Sequence, residues 1–363
     1  MLNIIIYSSK KESYFNYNFD KNPIIDFNLN IKKNNNYNIK DHDNLFLNTL
    51  HKEIFKDATL NHYYSNPSKL KNADLLIVIN SIPEEIINSF TKKKYLIIGE
   101  PRSIMPSLYK KKFLENFDKF FTYDEKILNK YNKKAINANL QMTTSKFLNI
   151  NIRKKKFFSC IFLTYKPNEY GLFKEKIKMI KWFNKTQPSK LHLYGRNWNL
   201  IKESITKNTK IILFLKLVNF FIKKFDIHIF FKKYIKNIYK GYSKNKIRDG
   251  ANYYFQFCYE NDPKWISQKI FHCFMSGSIP IYLGYKNIKK LIPGNCYIEK
   301  SNYYSYDLLF KDLQKIFSSR FLFNKYLANI QSFLKSKKIK KFFLEEDVEK
   351  IKKQIFKDFN IKK

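Results

Sequence analysis

Residues 253–284, YYFQFCYENDPKWISQKIFHCFMSGSIPIYLG, constrain the fold of this chain more than any other stretch. Tyr253 to Tyr259 is apolar, aromatic or thiol except at Gln256, the composition of a buried strand. Glu260-Asn261-Asp262-Pro263 then breaks the run with turn chemistry. Ser267 reads as an N-cap, and Ile270, Phe271 and Phe274 form one apolar helical face. Gly277 stands where a left-handed residue ends a helix. Ile279 to Leu283 returns as a second strand, closed by Gly284. In an α/β sheet, ligands bind where polar residues gather at a strand's carboxyl end beside a helix start. That edge is the expected active site.

The same alternation recurs upstream and predicts parallel sheets covered on both faces. In the first part, strands are expected at Asn3–Tyr7, 73–80, 95–99 and 117–123. Helices are expected over 48–57, after Ser81 as N-cap, and over 124–130. Residues 8–47 are polar and Asn-rich and read as a long loop with short strand pieces. After the basic junction 153–156 come a strand at 157–164, an amphipathic helix over 171–185 and a strand at 191–197. Another strand follows 253–284, at 296–299. A chain of 363 residues built this way divides into two α/β domains, 1–148 and 149–330. The basic helical segment 331–363 either crosses back over the first domain or forms a surface tail.

Residues 199–246 interrupt the pattern. Ile211 to Phe221 is apolar but for Lys216 and Asn219, and 211–240 holds seven Lys and one Asp, so nothing reaches the ~18–20 apolar residues of a membrane span. The segment reads as a helical hairpin packed on its domain or as a basic amphipathic insertion lying on an anionic membrane.

Net charge matters here because it bears on partners. At +39, the surface reads first as a solvated lysine-rich face and otherwise as one that attracts polyanions: anionic lipid, nucleic acid or a phosphorylated substrate. The lysines are dispersed rather than gathered in one arm, and the Lys, Asn and Ile bias has the look of an AT-rich genome. Nucleic acid is the least favoured partner. Cys160, Cys258, Cys273 and Cys296 are widely spaced, with no C-x-x-C, so reduced thiols are expected. The short apolar run at the start lacks the basic flank of a signal peptide. A cytoplasmic protein is expected, either free of the membrane or in peripheral contact with its inner face.

Glu260, Asn261, Gln268 and Lys269 fall within ten residues at the strand–helix edge. With Ser267 as N-cap, Lys269 takes the second helical position, beside free backbone N–H groups, as a diphosphate site would need. The same spacing also fits an ordinary capped helix with an exposed lysine. Arg196, after Gly195 at a strand end, could clamp phosphate bidentately. Glu100, fixed by Pro101 at the end of a first-domain strand, reads equally as a general base or a solvated turn residue. The six histidines show no metal-ligand spacing, and P-loop and G-x-G-x-x-G motifs are absent. Asp41-His42-Asp43 is a D-x-D with no strand before it to fix a metal, and it reads as solvated loop.

Taken together, three runs resemble the donor-binding signature of the α1,3/1,4-fucosyltransferases, glycosyltransferase family 10. They are Phe257-Cys258-Tyr259-Glu260-Asn261, Trp265-Ile266-Ser267-Gln268-Lys269-Ile270 and Gly277-Ser278-Ile279-Pro280-Ile281-Tyr282-Leu283-Gly284. Gly99-Glu100-Pro101 before Phe120-Phe121-Thr122-Tyr123-Asp124 is similar to the family's acidic loop and following strand. The resemblance implies a GT-B fold, two Rossmann-like domains across a cleft, and inverting transfer of fucose from GDP-fucose to a glycan hydroxyl. It implies no cofactor and no obligatory metal. Arg196 and Lys269 would neutralise the diphosphate, while Glu260, Asn261, Trp265 and Gln268 would belong to the donor pocket. Glu100 would be the catalytic base. Three residues depart from the family pattern: Trp265 for Tyr, Ser267 for Thr and Gln268 for Glu. The last removes a charge and bears on donor identity. Competing readings are a transferase using another nucleotide sugar, as in exostosin-like families, and a catalytically silent basic membrane or nucleic-acid binding protein.

Overall fold

The computed structural model describes residues 2–8, 50, 53, 58–63, 67–138, 150, 153–167, 170–203, 208–225, 232 and 235–361. The Asn-rich stretch beyond Ser8, the Asp41–Asp43 motif and most of the helix expected over 48–57 lie outside the described residues. The chain divides into two compact units. One comprises Met1–Leu148 with Lys337–Lys363, the other Asn149–Ser336.

In the first unit, six strands form one parallel sheet: β1 Leu2–Ser8, β2 Ala58–His62, β3 Leu75–Ile79, β4 Lys93–Ile97, β5 Lys119–Thr122 and β6 Ala135–Asn137. They lie in the order β2-β1-β3-β4-β5-β6. Ile4, Ile5 and Ile6 and Leu75 through Val78 are all buried, successive side chains filling opposite faces. This two-sided burial is why the strands read as unbroken apolar runs. Helix α1 (Glu84–Ser89) starts after Pro83 with no side-chain cap, so the expected Ser81 cap does not form. Pro83 stands between Ser81 and the helix: its fixed φ presets the entry, and it carries no N–H that would need an acceptor. Helix α2 (Glu125–Lys130) is capped by Asp124, whose carboxylate accepts from the Ile127 N–H at 3.0 Å.

The C-terminal helix, Leu344–Asp358, belongs to this first unit. It buries Leu344, Val348, Ile351 and Ile355, spaced to fall on one helical face. Tyr95 of β4 donates to Asp358 at 2.7 Å, and Lys350 donates to the Asn137 carbonyl at 2.9 Å.

The second unit holds five parallel strands: β7 Phe157–Phe162, β8 Leu191–Tyr194, β9 Tyr253–Tyr259, β10 Ile279–Leu283 and β11 Ile298–Glu299, ordered β11-β10-β9-β7-β8. Helix α3 (Phe173–Thr186) packs Phe173, Ile177, Ile180 and Phe183 into the core. Within the insertion, α4 (Thr209–Lys224) is a single helix with Leu215, Asn219 and Ile222 buried, followed by α5 (Lys246–Gly250). No helix among the described residues is long and apolar enough to cross a membrane.

The 253–284 stretch is the centre of this sheet. β9 lies between β7 and β10, with Phe255 opposite Ile279 and Tyr259 opposite Leu283. Between β9 and β10, α6 (Lys269–Met275) buries Ile270 through Met275. Its end is a Schellman turn: Gly277 (φ 61°) donates to Phe274 at 2.9 Å and Ser278 to Cys273 at 3.1 Å. A glycine takes that left-handed position without strain. Helices α7 (Tyr306–Ser318) and α8 (Arg320–Lys335) complete the unit. All four cysteines are buried and free.

Candidate active site

At the carboxyl end of β9, Glu260 is bonded into the sheet, its N–H donating to Leu283 at 2.8 Å. Its side chain is 1% exposed. A carboxylate this deep is tolerable only if hydrogen-bonded and paired, and Glu260 is both. Oε1 accepts from the Ser267 N–H at 2.9 Å and the Ser267 hydroxyl at 3.0 Å. Oε2 accepts from the same hydroxyl and from Lys269 Nζ, each at 2.8 Å. Gly284 permits the packing, because a Cβ there would lie 2.6 Å from Glu260 Cγ.

This corrects two expectations. Ser267 is not an N-cap, for Glu260 takes both its N–H and its hydroxyl. Lys269 is the first helical residue rather than the second, with Gln268 at the cap position making no side-chain cap bond. The seven-residue α6 is too short for its dipole to carry the site. What gathers charge here is a set of lysines.

Asn261 is tied to α3. Its Oδ1 accepts from Lys176 Nζ at 2.7 Å, and its carbonyl accepts from Leu172 N–H at 3.0 Å. Lys176 is 1% exposed. Burial holds its pKa well below the usual lysine value; Lys269 adds to that depression, and Glu260 opposes it. Lys246, at the start of α5, is pulled down to about 8 by desolvation and then by Lys269. Lys269, paired with buried Glu260, thus stands within electrostatic reach of both Lys176 and Lys246. Three lysines so placed suit a polyanionic ligand and tolerate each other poorly without one.

Neither Lys176 nor Lys246 stood out from the sequence. Lys176 did carry a signal, a cation three residues after Phe173 and four before Ile180, on the apolar stripe of α3. Lys246 carried none.

Trp265 is buried, in a turn where Asp262 Oδ1 accepts from Lys264 N–H at 2.9 Å. Arg196 is exposed beyond β8, its guanidinium carbon 3.7 Å from the Tyr242 ring centroid. Its carbonyl accepts from Tyr165 N–H at 2.9 Å. The preceding Gly195 passes so close to Leu163 that a Cβ would lie 1.8 Å from its carbonyl oxygen. Arg196 is therefore held at the carboxyl edge of the same sheet, just past β8 rather than with the Glu260 group.

Glu100 lies in the first unit, just past β4. Asn80 braces its loop from a left-handed conformation (φ 64°), accepting from Gly99 N–H at 2.8 Å. The Glu100 carbonyl accepts from the Tyr109 hydroxyl at 2.7 Å. Arg102 stacks on Tyr109 at 4.2 Å and pairs with Asp124 at 3.3 Å. The half-buried Glu100 is thus fixed through its backbone at the carboxyl edge of a parallel sheet.

Residues 199–352 match the family model described as glycosyltransferase family 10 (fucosyltransferase), C-terminal. That segment is similar to the C-terminal domain of the family 10 glycosyltransferases. The matched segment includes Glu260, Asn261, Trp265, Gln268, Lys269 and Lys246; Glu100, Lys176 and Arg196 precede it. No curated protein matches the chain at a significant level. Among solved structures, an α1,3-fucosyltransferase is similar with a TM-score of 0.53 at 12% identity, over 98% of this chain and 90% of that one. T4 phage BGT in complex with UDP and Mn2+ gives 0.55 at 12%, over 98% and 99%. Anabaena HepE in complex with UDP and glucose gives 0.55 at 8%, over 98% and 99%. At these identities the likeness establishes the fold, which is that of the GT-B glycosyltransferases.

Proposed function

We propose that this chain is an inverting fucosyltransferase, moving fucose from GDP-fucose to a hydroxyl of a glycan acceptor. The observation that carries the reading is the buried Glu260–Lys269 pair, inside the segment that matches the family 10 model, with Lys176 bonded to Asn261 beside it. Glu100 takes the proton from the acceptor hydroxyl as its oxygen bonds to the anomeric carbon. The bond from that carbon to the diphosphate oxygen breaks, and GDP departs with the extra negative charge. Lys269 and Arg196, with Lys246 and Lys176 nearby, meet that charge. Asn261, Trp265 and Gln268 line the donor pocket.

Asn261 Oδ1 is occupied by Lys176, so its amide N–H groups are what it offers a ligand. Glu260 acts differently: with both oxygens committed, it positions Lys269 rather than touching the donor. Fixed cations do the work that a divalent metal does at other nucleotide-sugar sites, so no obligatory metal is proposed. Transfer should continue unchanged in EDTA.

The acceptor is proposed to be a glycan presented at the cytoplasmic face of an anionic membrane, in keeping with the strongly cationic chain. A second reading, another nucleotide sugar as donor, is favoured by one residue. Gln268 stands where the family resemblance has a glutamate, and it cannot supply a charged acceptor for the donor. Calorimetric titration of GDP, GDP-fucose, UDP and UDP-sugars separates the two. Binding of GDP alone supports the first reading, binding of UDP alone supports the second, and binding of neither overturns both.

A further inference from the structure

Helix α4, Thr209–Lys224, takes no part in the chemistry above, yet it is fixed in one rotational setting. Asn219 holds it there: Nδ2 donates to the Ile201 carbonyl at 2.9 Å and to Glu203 Oε1 at 3.1 Å, and Oδ1 accepts from the Ile201 N–H at 2.8 Å. Leu215 and Ile222 turn inward with it. At 3.6 residues per turn, this setting aims Leu213, Phe214, Leu217, Phe220 and Phe221 to the far side. They are 70%, 62%, 54%, 57% and 43% exposed. Scattered apolar side chains are ordinary on a surface; a contiguous row of five large ones on one helix marks an interaction face. The helix also carries Lys210, Lys216, Lys223 and Lys224, and no acid.

We propose that the outer face of α4 docks the protein peripherally on an anionic lipid surface. The leucines and phenylalanines enter the acyl boundary, and the lysines reach the lipid phosphates. Charge selects this occupant over a second copy of the chain. Each copy carries +39 and would bring the same lysines against themselves, whereas anionic lipid complements them. The inference rests on the proposed function only for the idea of a membrane-borne acceptor, and it is independent of donor identity.

The test co-sediments the full chain with vesicles of phosphatidylcholine alone and of phosphatidylcholine with phosphatidylglycerol, alongside GDP calorimetry. The wild type is expected to bind the anionic vesicles at least about tenfold more tightly than the neutral ones. The triple variant Phe214→Ser, Leu217→Ser, Phe220→Ser should lose about tenfold or more of that binding and keep wild-type GDP affinity. Lys216→Glu with Lys223→Glu is a second variant, should the triple fail to fold, and is expected to lose anionic selectivity. Wild-type-like sedimentation of a folded variant overturns the proposal, as does wild-type indifference to both vesicles. Self-association that the triple variant abolishes, with no vesicle binding, assigns the face to a second copy instead. Absence of GDP binding with vesicle binding intact breaks the donor reading and leaves the docking surface standing.

Discussion

Glu100 and Glu260 occupy corresponding places in the two units, each just past a strand of a parallel sheet, one after β4 and the other after β9. Their surroundings make them different acids. Glu260 is enclosed, its two oxygens shared between Ser267 and Lys269. Glu100 is half-buried and held by its backbone, through Tyr109 on its own carbonyl and Asn80 on the neighbouring amide. A sheet edge can thus enclose a carboxylate in hydrogen bonds or leave one half-open and fixed by its backbone. Under the proposed function, that degree of enclosure separates a positioning carboxylate from a base.

The sharpest way to break that contrast is Glu100→Gln. Loss of a general base costs typically ~100–10,000-fold in rate. The variant should lose transfer on that scale while its melting temperature and GDP affinity stay at wild-type values. Full activity would place the base elsewhere. Glu260→Ala should do the reverse, acting first on the fold. It strands the Ser267 hydroxyl and N–H and removes the ion pair of Lys269, which keeps its 3.4 Å bond to the Tyr259 carbonyl, a loss of about 2–3 kcal/mol given that Lys269 is partly solvated. Denaturant melts would show the drop and calorimetry a weaker GDP affinity. A variant as stable as wild type would remove Glu260 from its positioning role.

The two sheets were largely legible beforehand because strands buried on both faces have to be apolar along their length, as Leu75–Ile79 and Tyr253–Tyr259 are. Gly277 was legible for a similar reason: a left-handed helix end narrows the choice of residue. The Ser267 cap was misread because local rules cannot see a competitor. A serine ahead of an apolar helix looks like a cap, but Glu260, brought back by the turn, outbids the helix for its hydroxyl. Lys176 and Lys246 were hidden by composition. With 69 Lys and Arg against 30 acids, a cation carries little information until burial shows what it costs to place there. The outer face of α4 was half legible: its apolar and basic character could be read, but which side Asn219 turns inward could not.

The gentlest test sharpens the contrast from the cationic side and turns on sign. Lys246 sits at about 8, below the ordinary lysine value. In the unliganded protein, the unfolded chain holds this proton more tightly, so its contribution to stability is unfavourable below pH 8. That penalty is relieved as pH rises from about 8 toward the unfolded value. A bound diphosphate reverses the preference, because it favours the ammonium. GDP affinity should therefore be full below pH 8 and fall a few-fold above it, with protons taken up on binding near that pH. Lys246→Met should weaken GDP binding modestly at pH 7, erase the step near pH 8 and gain stability at neutral pH by losing the desolvated charge. Calorimetry in buffers of different ionisation enthalpy reads the proton uptake directly. A step near pH 8 that survives in Lys246→Met would assign the titration to another group and detach Lys246 from the lysines that meet the diphosphate.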